Sequence, residues 1–294
     1  MPPKTLKVSS ENQWFQRVET LKRNRKKRQQ YRQFSVEGVQ SINQLVANET
    51  WEIEAFLYSR ERSHSDWLRG VLSTSRARFH LELTDALMNR LSDKDEPSEL
   101  LAIVNMLPDD PQRIPIREDA LIVLADRPQS PGNLGALIRS CDGLGAHGLV
   151  VTGHAVDIYE PRTIRAAAGS FFVLPTVRMA SNADILAWLD ELRLKLPQLQ
   201  IVGTSAGEHT HITDCAFNRP TVLLVGNEAN GLSHWFHAHY DVIASIPMQG
   251  TVPSLNMACA ATAVLYEIQR QRLGALQQDT SNAMEQRVGI DGKS

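Results

Sequence analysis

Short apolar runs alternate with helix-periodic segments along most of this chain. Beyond Leu121, apolar runs are followed by polar turns and then by stretches whose apolar residues lie three or four positions apart. Apolar runs bounded by turns predict buried strands, and the 3.6-residue period predicts amphipathic helices. Residues 119–274 are therefore predicted to form an α/β domain on a doubly wound parallel sheet. The predicted strands are 121–124, 148–152, 172–176, 200–204, 221–225 and 242–246, and the predicted helices are 135–144, 162–168, 182–194, 232–239 and 255–273.

A smaller alternating pattern precedes this domain, at residues 34–107. Its predicted strands are 34–37, 53–58, 79–83 and 100–106, and its predicted helices are 40–48, 65–74 and 85–92. This alternation predicts a second, small α/β domain. Residues 108–118 begin with a stretch rich in proline and aspartate, which is typical of a linker. The polar tail at 275–294 lacks apolar periodicity and is predicted to be disordered.

Three predicted strands run into polar loops that carry distinctive motifs. The first loop leads into N-x-G-x-x-x-R at Asn133, Gly135 and Arg139. The second reads G-N-E-x-x-G-L-S at residues 226–233, and the third reads I-P-M-x-G-x-x-x-S-L-N at residues 246–256. Loops at the carboxyl ends of parallel strands share one edge of a sheet, where ligands bind in this architecture. The sequence therefore predicts a ligand site built from these loops.

In this order the three motifs resemble the signature motifs of the SpoU/TrmH family. Members of this family are S-adenosylmethionine-dependent RNA ribose 2'-O-methyltransferases of the SPOUT superfamily. The whole chain, including its basic start, resembles the avilamycin-resistance type of ribosomal RNA methyltransferase. The resemblance implies a trefoil knot at the C-terminal end, a homodimer, and an L30e/L7Ae-like substrate-binding domain at residues 34–107. It implies S-adenosylmethionine as cofactor and RNA, most simply 23S rRNA, as substrate. Family members often carry glycine where this chain has Ala229.

A ribose 2'-hydroxyl is a weak acid, so methyl transfer to it requires stabilisation of a developing alkoxide. In the family, the residue that matches Arg139 is assigned to this task, either as a base or through the adjacent phosphate. Because a guanidinium stays protonated, we favour contact with phosphate and alkoxide over proton removal. The other implied catalytic residues are Asn133, Glu228, Ser254 and Asn256. The implied cofactor-binding residues are Thr204, Gly226, Asn227, Ile246, Met248 and Leu255.

Each of these residues also has a purely structural interpretation. Asn133, Ser254 and Asn256 are typical turn and helix-capping residues. Glu228 could pair with Arg139, accept a ribose hydroxyl, or simply favour the start of a helix. The apolar residues of the implied cofactor site, Ile246, Met248 and Leu255, could belong to an ordinary hydrophobic core.

The net charge of -2 conceals a strong asymmetry, because residues 1–33 contain ten Lys/Arg and two acidic residues. A basic segment on an acidic protein suits contact with phosphate, although a solvated helix face has the same composition. This segment is predicted to be an RNA-binding arm. The predicted RNA-binding residues are Arg23, Arg25, Lys26, Lys27, Arg28 and, by the family resemblance, Arg165.

Other signals point away from competing functions. Gly143, Gly145 and Gly148 spell G-x-G-x-x-G, but they follow a predicted helix and precede a strand, the reverse of a dinucleotide site. The histidines at 209, 211, 234, 237 and 239 lack the partners of a metal site, so no metal is predicted. Three widely spaced cysteines (Cys141, Cys215 and Cys259) without a C-x-x-C pair, together with the absence of a long apolar run, predict a cytoplasmic protein. A noncatalytic RNA-binding protein, a tRNA rather than rRNA substrate, and a nucleotide-dependent oxidoreductase remain as alternatives.

Overall fold

The computed structural model describes residues 3–92, 97–205, 207 and 210–291, and the chain divides into two units. The first unit comprises Met1–Asp109, Ser130–Arg139 and Val156–Pro175. The second comprises Asp110–Gln129, Ser140–Ala155 and Thr176–Ser294. This division differs from the predicted sequential boundaries at 34–107, 108–118 and 119–274, because two later segments group with the first unit.

A five-stranded sheet with the order β1-β4-β3-β5-β2 organises the first unit. The strands are β1 (Lys4–Val8), β2 (Gln33–Glu37), β3 (Ile53–Ser59), β4 (Phe79–Leu83) and β5 (Leu100–Asn105). β1, β4 and β3 are parallel, while β5 pairs antiparallel with both β3 and β2. The helices are α1 (Gln13–Arg23), α2 (Arg25–Tyr31), α3 (Val39–Ala47), α4 (Asp66–Ser73) and α5 (Asp85–Leu91).

The basic start of the chain is part of this unit rather than a separate arm. Leu6 of β1 lies opposite Leu81 of β4, so the first strand extends the sheet. Phe15, Val18 and Leu21 recur at helical spacing on α1 and are fully buried in the core of the unit. The apolar stripe of α1 outweighs its charged face, because burial of large side chains stabilises packing by roughly 1.5–3 kcal/mol each.

Two later segments complete the first unit. They contain the first nine residues of α6 (Pro131–Gly143), all of α7 (Pro161–Ala166), and a 3-10 turn at Ser170–Phe172. Residues 172–176 were predicted to be a strand, but the strand begins only at Thr176. Gly169, at φ +98°, starts the turn, and Pro175 has no N–H for a strand ladder. The rings of Phe171 and Phe172 lie within 6.3 Å of the Phe34 ring, and this packing holds the turn.

The second unit holds a fully parallel seven-stranded sheet with the order β10-β12-β9-β11-β6-β7-β8. The strands are β6 (Leu121–Asp126), β7 (Gly148–Thr152), β8 (Thr176–Met179), β9 (Gln200–Ser205), β10 (Thr210–His211), β11 (Thr221–Val225) and β12 (Val242–Ser245). Helices α8 (Asn182–Lys195) and α9 (Met257–Asp291) complete the named elements. Every residue of β6, β7 and β11 is buried, as expected for central strands covered on both faces. The predicted α/β class with a parallel sheet is confirmed.

Two helix predictions need correction in the second unit. Residues 232–239 form only a short 3-10 turn at His234–Ala238, whose aromatic and histidine residues are poor helix formers. The last helix, predicted to end at 273, continues to Asp291, through most of the tail predicted to be disordered. Alanine, leucine and glutamine follow Gly274 and favour this continuation. Residues 292–294 lie outside the described residues.

Within the described part of the chain, no helix is both long and apolar enough to cross a lipid bilayer.

Candidate active site

A cavity of about 600 Å³ opens at the carboxyl ends of strands β9, β11 and β12 of the second unit. Its lining includes all six residues predicted to bind the cofactor, namely Thr204, Gly226, Asn227, Ile246, Met248 and Leu255. Glu228 and Ser254 also line it. Leu232, Ile243 and Val264 add apolar surface. The volume lies within the range of small-molecule sites.

The loop at residues 226–233, which follows β11, forms one wall of this cavity. Asn227 and Gly231 exchange two main-chain hydrogen bonds of 2.9 Å each, which close the loop on itself. The Oδ1 atom of Asn227 also accepts the N–H groups of Ala229 at 2.8 Å and Asn230 at 3.2 Å. A Cβ on Gly226 would lie 2.4 Å from the Gly231 carbonyl carbon, so only glycine fits here. Ala229, at which family members often carry glycine, therefore lies inside a tightly hydrogen-bonded turn.

A second segment, residues 126–129 at the end of β6, is hydrogen bonded to this loop. Asp126, almost fully buried, accepts the Ser233 N–H at 2.7 Å. The side-chain amide of Asn227 donates to the Arg127 carbonyl at 2.6 Å, and the Gln129 N–H donates to Glu228 at 3.1 Å. One carboxylate oxygen of Glu228 is therefore engaged in holding the two segments together. Sequence reasoning missed Asp126, which lies outside the three motifs.

The third loop, residues 246–256, ends in a helix cap. The Oδ1 atom of Asn256 accepts the N–H of Ala258 at 2.9 Å and that of Cys259 at 3.4 Å, at the start of α9. Asn256 is not among the residues that line the cavity, whereas Ser254 and Leu255 are. Asn256 therefore caps the helix that carries Met257 into the cavity wall, and its predicted catalytic role stays a prediction.

Asn133, Gly135 and Arg139 lie on α6 within the first unit. The Asn133 N–H donates to the Ser130 hydroxyl at 3.4 Å, at the start of the helix. A Cβ on Gly135 would lie 2.5 Å from the Thr163 carbonyl oxygen, so this glycine permits close packing of α6 on α7. Arg139 is exposed, and among the described residues its guanidinium has no hydrogen-bond or ion-pair partner.

A wide opening of about 530 Å³ lies where the start of α6 meets α7 in the first unit. Arg162 and Arg165 line it together with Ser130 and Gly132. Arg165 lies 3.9 Å from the carboxylate of Glu37. The opening therefore presents positive charge beside the start of a helix, which is compatible with the predicted contact between Arg165 and RNA.

One predicted RNA-binding residue is buried. Arg28 donates through Nε to Asp157 at 2.8 Å and through Nη1 to the Leu21 carbonyl at 2.7 Å, and its side chain is 4% exposed. Its prediction as an RNA contact is therefore wrong, because helix α2 directs this member of the basic run inward. Arg25 and Lys26 are exposed on the same helix.

The structure also places the remaining predicted RNA contacts and most of the histidines named above. Arg23 is exposed at the end of α1, and Lys27 is partly buried, with Nζ bonded to Gln30 at 3.0 Å. The rings of His234 and His237 are stacked, with centroids 5.4 Å apart, and His237 lines the cavity. His209 lies outside the described residues. Among those that are described, no group of three or more His, Cys, Asp or Glu side chains could hold a metal ion.

The predicted reading of the glycine-rich segment at 143–148 agrees with the structure. Helix α6 ends at Gly143, Gly145 has φ +78°, and β7 begins at Gly148. Helix precedes strand, so the dinucleotide-binding arrangement is not formed by these residues.

Comparison with known proteins identifies two family models in the chain. The model described as the SpoU rRNA Methylase family matches residues 120–266, and the SpoU L30e-like domain matches residues 12–102. A Streptomyces viridochromogenes protein named 23S rRNA (uridine(2479)-2'-O)-methyltransferase is 43% identical over 271 residues, which cover 92% of this chain and 94% of the relative. An uncharacterized tRNA/rRNA methyltransferase of Mycolicibacterium smegmatis is 38% identical over 154 residues, and this chain spans 47% of its length.

Solved structures of methyltransferases are also similar to this chain. The crystal structure of the SpoU methyltransferase AviRb from Streptomyces viridochromogenes in complex with the cofactor AdoMet has a TM-score of 0.85 at 44% identity, covering 89% of this chain and 98% of that one. An AdoMet-bound rRNA methyltransferase from Sinorhizobium meliloti has a TM-score of 0.80 at 28% identity, with coverages of 90% and 98%.

Proposed function

This chain belongs to the SpoU rRNA methylase family, and we propose that it transfers a methyl group from S-adenosylmethionine to a ribose 2'-hydroxyl of 23S ribosomal RNA. The observation that carries the proposal is the cavity of about 600 Å³ into which two of the three motif loops bring their residues. A relative with 43% identity over nearly the whole chain is named for this reaction.

The cavity suits S-adenosylmethionine in both size and chemistry. When bound, the cofactor supplies an electrophilic methyl group on a sulfonium. We propose that main-chain groups at Thr204, Gly226 and Met248 bind its polar parts, since strand and loop ends leave N–H and C=O groups without partners. Ile246 and Leu255 offer apolar surface for the adenine ring. The AdoMet complex of AviRb, similar over 89% of this chain, supports the assignment.

Arg139 is proposed to bind the phosphate beside the target ribose and to stabilise charge on the 2'-oxygen. A permanently protonated guanidinium provides a fixed positive charge and paired donors for this task. Its exposure and its lack of a partner among the described residues support a role in binding an external group. Glu228 and Ser254 are proposed to orient the ribose, and Asn133 to shape the start of α6.

RNA contact is proposed for the exposed basic residues of α1 and α2. Arg23, Arg25 and Lys26 present their charges to solvent, Lys27 does so in part, and Arg165 adds positive charge at the opening between α6 and α7. Phosphate contacts of this kind supply affinity without reading sequence. The domain of the first unit matches the SpoU L30e-like model, which supports RNA as its ligand.

A C-terminal trefoil knot and a homodimer are further parts of the proposal. Both follow from the resemblance to the SpoU/TrmH family. In the second unit, Val252, Tyr266 and Leu273 are more than half exposed, which suits a surface covered by a second copy. We also expect a cytoplasmic location, because ribosomal RNA is the proposed substrate.

A labelled-methyl assay tests the function directly. Purified protein with methyl-labelled S-adenosylmethionine should label 23S rRNA, and digestion to nucleosides should recover the label on a ribose. Parallel reactions with 16S rRNA and tRNA decide the substrate class, since preferential labelling of tRNA would select that alternative. Binding of RNA and S-adenosylmethionine without transfer to any RNA would favour the noncatalytic alternative.

Substitution of Arg139 tests the proposed mechanism. Arg139→Ala should lower turnover by roughly 100-fold or more, the usual effect of removing a group that stabilises transition-state charge. Arg193→Ala, at another exposed helical arginine, should leave turnover unchanged. Cofactor affinity, measured by calorimetry, should stay within about threefold of wild type in both variants. Wild-type turnover in Arg139→Ala would remove this residue from the mechanism.

A further inference from the structure

Asp126, the last residue of β6, is a buried carboxylate with a complete set of donors. Its Oδ1 atom accepts from Arg127 Nε at 3.0 Å and from the Thr152 hydroxyl at 3.2 Å. Its Oδ2 atom accepts from Arg127 Nη2 at 3.1 Å and from the Ser233 N–H at 2.7 Å. A buried carboxylate is costly unless it is paired and hydrogen bonded, so this arrangement specifies the positions of its donors.

Two of those donors, Arg127 and Ser233, lie on segments that form or adjoin the cavity wall, while Thr152 is the last residue of β7. Ser233 closes the 226–233 loop, while Asn227 near its start donates to the Arg127 carbonyl. Arg127 has φ +51°, a conformation that is uncommon for residues other than glycine. The paired hydrogen bonds to Asp126 hold Arg127 in that conformation, and they raise the pKa of its guanidinium. Asp126 therefore secures the end of the loop directly and its start through Arg127.

The loop is in direct contact with the cavity, but Asp126 is not. Residues 226–232 all line the cavity, whereas Asp126 and Ser233 do not. We propose that Asp126 is a positioning residue, which holds the 226–233 loop in the shape that binds S-adenosylmethionine. This inference rests on the proposed function. Because Asp126 acts through the loop, its loss should weaken cofactor binding while leaving turnover at saturating cofactor largely intact.

Asp126→Asn tests the inference, and Asp157→Asn is its matched control. Asp157 is equally buried, is paired with Arg28, and accepts the Tyr159 N–H at 3.1 Å, but it belongs to the first unit. Both substitutions remove one buried negative charge from an arginine pair. Asp126→Asn should raise the Kd and KM for S-adenosylmethionine by about tenfold and leave kcat within about threefold. Asp157→Asn should leave the Kd at the wild-type value.

Asn227→Asp is a second variant of the same connection, made at a residue that itself lines the cavity. The aspartate keeps the oxygen that accepts the Ala229 and Asn230 N–H groups, but it replaces the donor to Arg127 with a carboxylate oxygen, which repels the Arg127 carbonyl. It should reproduce the rise in Kd and KM. All binding measurements are made on the full-length protein, at a temperature at which thermal melts show that each variant is folded.

The outcomes separate this inference from the function on which it rests. Wild-type protein that does not bind S-adenosylmethionine overturns the proposed function. Wild-type binding with unchanged Kd in both Asp126→Asn and Asn227→Asp overturns the positioning role. An equal rise in Kd in Asp157→Asn also overturns it, because the effect would then follow from general loss of stability. A fall in kcat alone, without a rise in Kd, contradicts it as well.

Discussion

Gly226→Ala should abolish tight cofactor binding, although it adds a single methyl group. The new Cβ would lie 2.4 Å from both the Gly231 carbonyl carbon and the Leu232 nitrogen. Both obstacles are main-chain atoms, so no side-chain rotation can relieve the contact. The loop itself has to open.

The required movement can be worked from the distances. Ordinary contact begins near 3.4 Å, so the two strands of the loop must separate by about 1 Å. That separation breaks the two 2.9 Å hydrogen bonds between Asn227 and Gly231, each contributing about 1 kcal/mol. Overpacking adds about 1–3 kcal/mol. A distortion of about 3–5 kcal/mol in the cavity wall should raise the Kd for S-adenosylmethionine by at least about 100-fold, since each factor of ten corresponds to about 1.4 kcal/mol.

Calorimetric titration of Gly226→Ala with S-adenosylmethionine measures this effect. Gly274→Ala is the control, because a Cβ at Gly274 meets nothing within 4 Å and the residue lies inside helix α9. It should bind the cofactor normally and be stabilised by roughly 0.5–1 kcal/mol. A folded Gly226→Ala protein whose Kd stays within threefold of wild type would refute the close approach of the loop backbone.

Three further predictions concern stability and RNA binding. Arg28→Met should lower the free energy of unfolding by about 3–5 kcal/mol in urea titrations, because it leaves the Asp157 carboxylate buried without its cation. A double alanine variant at the exposed Arg25 and Lys26 should instead leave the urea midpoint unchanged and reduce the salt dependence of RNA binding by roughly two counterions, as measured by filter binding. Burial lowers the pKa of His147 below its usual 6.5, so the folded protein favours the neutral imidazole. The free energy of unfolding should therefore fall as the pH drops below 6.5, where the unfolded chain binds the proton more readily. His147→Asn should reduce this loss of stability at acid pH, as measured by urea midpoints.

Local patterns predicted the parallel sheet well because its central strands are continuous apolar runs. Residues 148–152 and 221–225 were predicted with the bounds that β7 and β11 have in the structure. A ligand site was predicted at the loops that follow buried strands, and the family resemblance supplied the residues expected to bind the cofactor there. All six predicted cofactor-binding residues line the cavity. Apolar runs and loop-forming residues thus report the conformation of neighbouring residues along the chain.

Features that depend on distant contacts were missed. Arg28 looks like any other member of a basic run, and only its partner 129 positions away reveals that it is buried. The same limit applies to Asp126, whose bond to Ser233 spans 107 positions. The strand predicted at 172–176 failed for a related reason, because Phe172 is fixed by packing against an aromatic cluster. Charge and hydropathy along the chain carry no information about such pairings.

The division between local and distant contacts also explains which substitutions should matter at the cavity. At Gly226 the loop backbone leaves no room for a Cβ, and the loop is closed by main-chain bonds between Asn227 and Gly231. A wall shaped this way is sensitive to added volume and to lost hydrogen bonds, but much less to exchange among apolar side chains on its surface. We therefore expect cofactor affinity to tolerate conservative changes at Ile246 or Leu255 better than any change at Gly226. The segment that begins with Asp126 holds the loop backbone at both ends, so substitutions that move this backbone should be the least tolerated in the site.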